Sequence, residues 1–257
     1  MRICVLASGS KGNVTYVETK EHKILLDIGT NLRYIKNQLE ELGVSLADID
    51  IILVSHVHTD HIGALNQYIK KYNGNVYMTM GMLEELGIDA PINKYSNLQI
   101  YNDNLYLDDL KVEIIKTSHD TKDSKGFILS EGLKSLVYLT DTGYLNQKYF
   151  SILSNRNVYL FESNHDVEML LNGKYPAWLK DRVSGPYGHL SNQDASVYLA
   201  KLIGPDTKKI VLLHLSHENN TEDIALSTFR KTLIEYDVCF TNVCCAKQNE
   251  RIEEIII

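Results

Sequence analysis

Within the six positions from His56 to His61 the chain places three imidazoles and a carboxylate, His56, His58, Asp60 and His61. Such groups crowd one another unless a cation collects them, and both types are ligands for divalent metals. His56 and His58 stand two apart, so in an extended chain both rings point to one side. Asp60 and His61 follow where the chain turns towards a helix, and they reach the same space from another direction. Asp60 could serve simply as a helix cap, but a cap leaves His56 and His58 without a purpose. Four more groups of the same kinds, Asp27, His119, Asp141 and His214, each stand at or just past the end of a strand-like run. Folds that alternate strands and helices commonly gather their chemistry at the C-terminal ends of strands.

The elements that must position these residues follow from hydrophobic period. Residues 2–8, 14–19 and 23–29 read as strands, the first two joined by the turn-rich Gly-Ser-Lys-Gly-Asn. Leu32, Ile35, Leu39 and Leu42 have helical spacing and are closed by Gly43. The apolar run 51–55 has the character of a strand buried on both faces, followed by a helix expected from about His61 to Tyr72. In the second half, strands are expected at 110–118, 126–130, 135–143, 157–163 and 209–216. Helices are expected near 166–184, 192–203 and 221–236, with terminal strands after them. Two halves with the same order of elements predict an α/β fold, a four-layer αββα sandwich, with residues 1–257 as one domain.

Composition narrows the class. The 257 residues are 44% hydrophobic, enough to bury a substantial core. A net charge of −7 argues against a nucleic-acid binder that works by bulk charge, although carboxylates held by metal are included in that figure. No apolar run approaches the length of a membrane helix, and the start lacks the apolar stretch of a signal peptide. A cytoplasmic location without membrane contact is therefore expected. Cys4, Cys239, Cys244 and Cys245 lack C-x-x-C spacing and are expected as free buried thiols.

The pattern H-x-H-x-D-H after a buried strand resembles the metallo-β-lactamase superfamily, whose αββα sandwich agrees with the alternation above. The later residues follow the superfamily's order: His119 in KTSHD, Asp141 in LTDTG and His214 in LLHLS. The resemblance implies one metal on His56, His58 and His119, a second on Asp60, His61 and His214, and Asp141 between them. It gives Asp27 a supporting role. With no thiolate in the set, the expected cofactors are two divalent ions, Mn²⁺ or Zn²⁺, with Fe²⁺ as a further candidate. Two such ions about 3.5–4 Å apart can share a hydroxide, which makes this a site for hydrolysis.

Fold does not settle substrate in this superfamily. The stretches ASGSKGNVTYV, FESNHDVEML, YGHLSNQDA and HLSHENN, in that order, resemble the WalJ/YycJ/VicX group of 5′→3′ exonucleases. That resemblance implies a nucleic acid substrate, DNA above RNA. The FES and GHLS stretches are also similar to motifs of ribonuclease Z, which implies that Glu162 orients His189 and that His189 protonates the leaving oxygen. With Asp60, these are the expected catalytic residues. Ser10, Lys11 and Asn13 of the glycine-rich loop, which could form an anion-binding nest, are expected to touch substrate. His165, His217 and Asn219 are expected there too, with a supporting or core role equally open to His165 and His217. The segment YPAWLKDRVSGPYG holds the only tryptophan, Trp178, with Lys180 and Arg182. It could stack on a nucleotide, but the expected reading is a packed helix with a basic face. His22, flanked by charges, is expected to be solvated.

Two enzyme alternatives remain open: a small-molecule hydrolase acting on a cyclic phosphodiester, lactone or thiolester, and a ribonuclease Z-like nuclease. The short interval from Asp141 to His214 leaves no room for a large inserted domain. The sequence LSHENN after His214 lacks the arginine usual in ribonuclease Z. A catalytically idle regulatory protein would be expected to have lost ligands, and none is missing.

Overall fold

The computed structural model describes residues 1–257. Its strands form two seven-stranded sheets and its helices flank them. By contacts the chain divides into two compact units, residues 1–114 with 121–125 and 247–257, and residues 115–120 with 126–246.

In the first unit β1 (Arg2–Ala7), β2 (Val14–Glu18) and β3 (Lys23–Leu26) form an antiparallel meander. From β3 the sheet continues in parallel through β4 (Ile51–Leu53), β5 (Asn75–Met78) and β6 (Leu98–Ile100). A C-terminal strand, β14 (Ile255–Ile256), pairs with β1 at the far edge. Helix α1 (Leu32–Glu41) starts where the Asn31 side chain accepts the Tyr34 amide and buries Leu32, Ile35 and Leu39, the stripe the sequence period marked. These pack with Ile52, Val54 and Leu65 in one apolar cluster.

The second sheet runs in the order β13, β12, β11, β10, β9, β8, β7. Its centre is parallel: β10 (Lys134–Leu139), β11 (Val158–Glu162), β12 (Lys209–Leu213) and β13 (Val243–Cys245). Antiparallel to β10 lies β9 (Lys125–Glu131), with β7 (Leu105–Leu107) and β8 (Leu110–Lys116) as an edge hairpin. Helices α5 (Phe150–Leu153), α8 (Asn192–Leu202) and α9 (Glu222–Glu235) bury Leu153, Leu199 and Phe229 in one cluster with Tyr159, Phe161 and Leu212 of the strands.

Several expectations need correction. The single helix from His61 to Tyr72 is two short ones, α2 (Thr59–Ile62) and α3 (Leu65–Tyr68). The break is tertiary: the Ala64 amide leaves the helix to donate to the Ile28 carbonyl at 2.9 Å. The helix near 166–184 is likewise α6 (Val167–Asn172) and α7 (Ala177–Ser184), interrupted by Gly173 and Pro176. His22 is not solvated, for its Nδ1 lies 2.6 Å from Asp50 Oδ2 with only 12% of the side chain exposed. The cysteines are free as expected, but only Cys4 and Cys245 are buried, with Cys244 half-buried and Cys239 exposed. No helix is long and apolar enough to cross a membrane.

Candidate metal centre

In the first unit the site is built on the loop leaving β4. Hydrogen bonds from Ser55 N (2.7 Å) and Ser55 Oγ (2.8 Å) hold the carboxylate of Asp27, which follows β3 and is fully buried. His61 Nδ1 donates to the same carboxylate at 2.7 Å. His56 lies one ring away, its centroid 4.0 Å from that of His61 and 4.8 Å from that of His58. Asp60 Oδ2 stands 3.6 Å from His61 Nε2. The N-cap of α2 is His58, with Asp60 inside the first turn, so Asp60 is not the cap; the His58 side chain makes no capping bond either.

Three backbone segments are locked together beneath this loop. Asn13 N donates to the Asp60 carbonyl at 2.7 Å, Ile28 N to the His61 carbonyl at 2.8 Å, and Gly29 N to the Asn13 carbonyl at 2.9 Å. Position 29 must be glycine, because a Cβ there would stand 1.6 Å from the Asp60 carbonyl oxygen. The glycine-rich loop is tied to itself and to Gln248, so the amides of Gly9, Lys11 and Gly12 are engaged within the protein and do not form the expected anion-binding nest. Gly9 N donates to Asn13 Oδ1, Lys11 N to Gln248 Oε1 and Gly12 N to the Gly9 carbonyl. Asn13 is buried and its Nδ2 lies 3.0 Å from His61 Nε2, whereas Ser10 and Lys11 are exposed.

In the second unit Glu162, the last residue of β11, is the hub. Its Oε2 accepts the amides of Thr142 (3.0 Å) and Leu190 (3.2 Å). Its Oε1 accepts His189 Nδ1 at 2.7 Å and His214 Nδ1 at 3.2 Å. Burial would raise this carboxyl, but His189 and His214 outweigh burial and hold it below the ordinary carboxylate range. Asp141 Oδ1 lies 3.4 Å from His214 Nδ1 and 3.8 Å from His119 Nε2. Ligand atoms of Asp141, Glu162, His189 and His214 all fall within 4.8 Å of one another. His119 Nδ1 donates to the Gly188 carbonyl at 3.2 Å, and burial keeps its pKa below the usual histidine value.

A single chemical regularity joins these contacts. Carboxylates and carbonyls only accept, so the Nδ1 atoms of His61, His119 and His214 must carry the proton. His56 Nδ1 has the same kind of partner, Ser55 Oγ at 3.1 Å, whose own hydrogen is committed to Asp27. The lone pair of each imidazole then sits on Nε2, the tautomer that ligates metal, with the Nδ1 bond fixing ring orientation. The donor set therefore fits divalent ions. Backbone geometry adds to this: Asp27, Asp141 and His214 hold φ of 60°, 53° and 57°, uncommon for side-chain-bearing residues.

The remaining expected contacts divide by burial. His165 is buried, its carbonyl accepts Asn192 N at 2.8 Å, and burial lowers its pKa to about 4. Asn219 is buried and its carbonyl accepts Asp166 N at 2.9 Å. His217 is exposed beside Glu218. Sequence reasoning missed Ser55, Gly188 and Asn164, whose Nδ2 donates to the His214 carbonyl at 2.9 Å. All three directly adjoin a ligand or its partner in sequence or space, and only their neighbours' identity hinted at them.

Residues 7–214 match the profile of the metallo-β-lactamase superfamily. The chain is 34% identical over 238 residues to exodeoxyribonuclease YycJ of Bacillus anthracis, covering 91% of this chain and 90% of that one. It is 35% identical over 238 residues to exodeoxyribonuclease WalJ of Streptococcus pneumoniae, covering 91% and 88%. Zn²⁺-bound PqqB of Methylobacterium extorquens has a similar structure, with a TM-score of 0.72 and 15% identity over 98% of this chain and 100% of that one. The expected fold class and resemblance are both borne out, and the protein belongs to the metallo-β-lactamase superfamily of hydrolases.

Proposed function

We propose that this protein is a metal-dependent 5′→3′ exonuclease acting on DNA. The observation that carries the proposal is the match to two exodeoxyribonucleases over about nine-tenths of every chain compared. The shared Nδ1-protonated state of His56, His61, His119 and His214 supports it from the chemical side. In this proposal His56, His58 and His119 hold one ion, and Asp60, His61 and His214 hold another, with Asp141 shared. Mn²⁺ and Zn²⁺ both suit such a set of nitrogen and oxygen donors. When bound, the ions supply water activation and neutralise charge on the phosphate.

The chain's own residues supply the rest. Glu162 fixes His189 through Nδ1, so the Nε2 side of that ring is presented to substrate as the proton donor for the departing 3′-oxygen. Asp27 and Ser55 keep His61 and His56 from rotating. Ser10, Lys11 and His217, all exposed, are proposed to meet phosphates, with Asn13, His165 and Asn219 forming the structure behind them.

The test uses duplex DNA labelled at the 5′ or the 3′ end, with Mn²⁺, and the wild-type or Asp60→Ala protein. The expected result is early release of the 5′ label by the wild type and at least a hundredfold loss in the variant. Equal degradation by both proteins, or by neither, rejects the proposal.

A further inference from the structure

The segment with the only tryptophan does not pack as expected. No residue of α7 is buried, and Trp178 is 66% exposed. Tyr187, two residues before His189, is 64% exposed, and Tyr144, three residues after Asp141, is 46% exposed. Scattered apolar side chains on a surface need no explanation, but these three stand on segments tied to the site: Trp178 one turn before Arg182, which pairs with Asp120 next to His119, Tyr187 just before His189 and Tyr144 just after Asp141. The two tyrosines are gathered by the backbone. A Cβ at Gly143 would lie 2.4 Å from the carbonyl carbon and oxygen of Pro186, so the chain at 143 presses on the chain at 186. Tyr144 and Tyr187 are the residues that follow each.

This surface is held firmly. Lys180 Nζ donates to the Leu171 carbonyl at 2.7 Å, tying α7 to α6. Ser118 Oγ donates to the Pro186 carbonyl at 2.7 Å, and Arg182 Nε pairs with Asp120. The same strand of chain then supplies the Gly188 carbonyl to His119. The aromatic groups are thus mounted on the elements that orient His119 and His189. Charge leans the same way: Lys174, Lys180 and Arg182 lie on this stretch, and Asp181 beside them with Asp120 on Arg182 offsets only part of that charge, in a chain whose net charge is −7.

We infer that Trp178, Tyr187 and Tyr144 form a stacking platform for unpaired nucleobases of the DNA strand whose phosphodiester is cut beside His189. Every base has a flat apolar face, so such a platform grips a strand without reading its sequence, and the nearby cations meet its phosphates. A rigid aromatic surface loses little entropy on binding. A stretch of single strand beside the site is what an enzyme removing nucleotides from an end must hold between cuts. The inference rests on the nuclease proposal above.

Because Trp178 is the sole tryptophan, its emission reports the platform directly. The intact metal-loaded protein is titrated with a phosphorothioate-linked oligothymidylate carrying fluorescein at its 3′ end, with anisotropy read in parallel. Saturable quenching of Trp178 at the same concentrations as the anisotropy rise is expected. Trp178→Ala and Tyr187→Ala should each lower activity on the oligonucleotide, relative to bis(p-nitrophenyl) phosphate, by about tenfold. Trp178→Phe, which keeps a ring, should recover most of that ratio. Binding by anisotropy with unchanged Trp178 emission overturns the platform and leaves the nuclease proposal standing. So does a shift in emission with protein concentration alone, which would make this face a contact between copies of the chain. Failure to bind the oligonucleotide at all removes both.

Discussion

At the scale of single residues, the site works by fixing protons. Each buried acceptor, Asp27 in one unit and Glu162 in the other, takes the Nδ1 hydrogen of an imidazole and so decides which nitrogen can do chemistry. Neither carboxylate is an uncompensated charge, because each accepts backbone amides and imidazoles in the interior. His189 is partly exposed, with 19% of its side chain accessible, whereas His56, His61, His119 and His214 are buried. That suits a group that delivers a proton rather than one enclosed by ligands. Replacing His189 with alanine should reduce kcat on DNA by about 10²- to 10³-fold. The same variant should lose less than tenfold on bis(p-nitrophenyl) phosphate, whose phenolate leaves without protonation. Steady-state kinetics on both substrates check this, and an equal loss on the two would assign His189 another role.

At the scale of elements, the strands deliver residues and the loops decide how they point. Asp27, Asp141 and His214 follow the ends of β3, β10 and β12 in left-handed backbone, a turn that redirects each side chain out of the sheet. These strand ends were legible because a buried parallel strand is an unbroken apolar run and the first polar residue after it stands out. The stretch 73–109 was not legible. It holds β5, β6, β7 and α4 (Met80–Leu86), all short, and a strand of three or four residues carries no period to read. Strands β5 and β6 exist because β4 offers β5 a partner and β5 offers one to β6, and β7 because it pairs with β8. The turn between β2 and β3 was also misread, since His22 is tied to Asp50 and lies 3.4 Å from Asp108. Burial opposes protonation there, but Asp50, with Asp109 and Asp108, prevails and raises the His22 pKa. A histidine whose folded pKa is raised stabilises the fold at pH values below its unfolded value, and the gain is lost as pH rises through the folded value. The melting temperature of His22→Gln should therefore fall well below wild type at pH 6 and approach it at pH 9. Thermal unfolding across that range measures the gap, and a gap that widens with pH would contradict the assignment.

At the scale of the whole molecule, each unit has its own apolar cluster and its own group of imidazoles and carboxylates. Closely spaced imidazoles and carboxylates cost stability when nothing positive lies between them, so metal should act on the fold as well as on the reaction. A ligand held only by the folded state, at about a hundred times its dissociation constant, adds about 2.7 kcal/mol. Stripping the protein with a chelator should lower its melting temperature by several degrees, with full recovery on adding Mn²⁺ or Zn²⁺. Differential scanning calorimetry decides this, and an unchanged transition would mean that the ligands bind no ion in the folded state.

The sequence by itself determined the types and order of the candidate ligands and the strands that carry them. Those depend on local composition and on hydrophobic period, and both survive in a linear text. It also carried the resemblance, because H-x-H-x-D-H with its distant partners is a pattern of identities. Tertiary structure alone decided which nitrogen of each imidazole holds its proton, since that depends on an acceptor far away in the chain: Asp27 for His61, Gly188 for His119. It alone broke the helix after Ile62, where the Ala64 amide found a partner on Ile28. It alone left Trp178 66% exposed, because whether an apolar side chain is buried depends on what the rest of the chain lays against it.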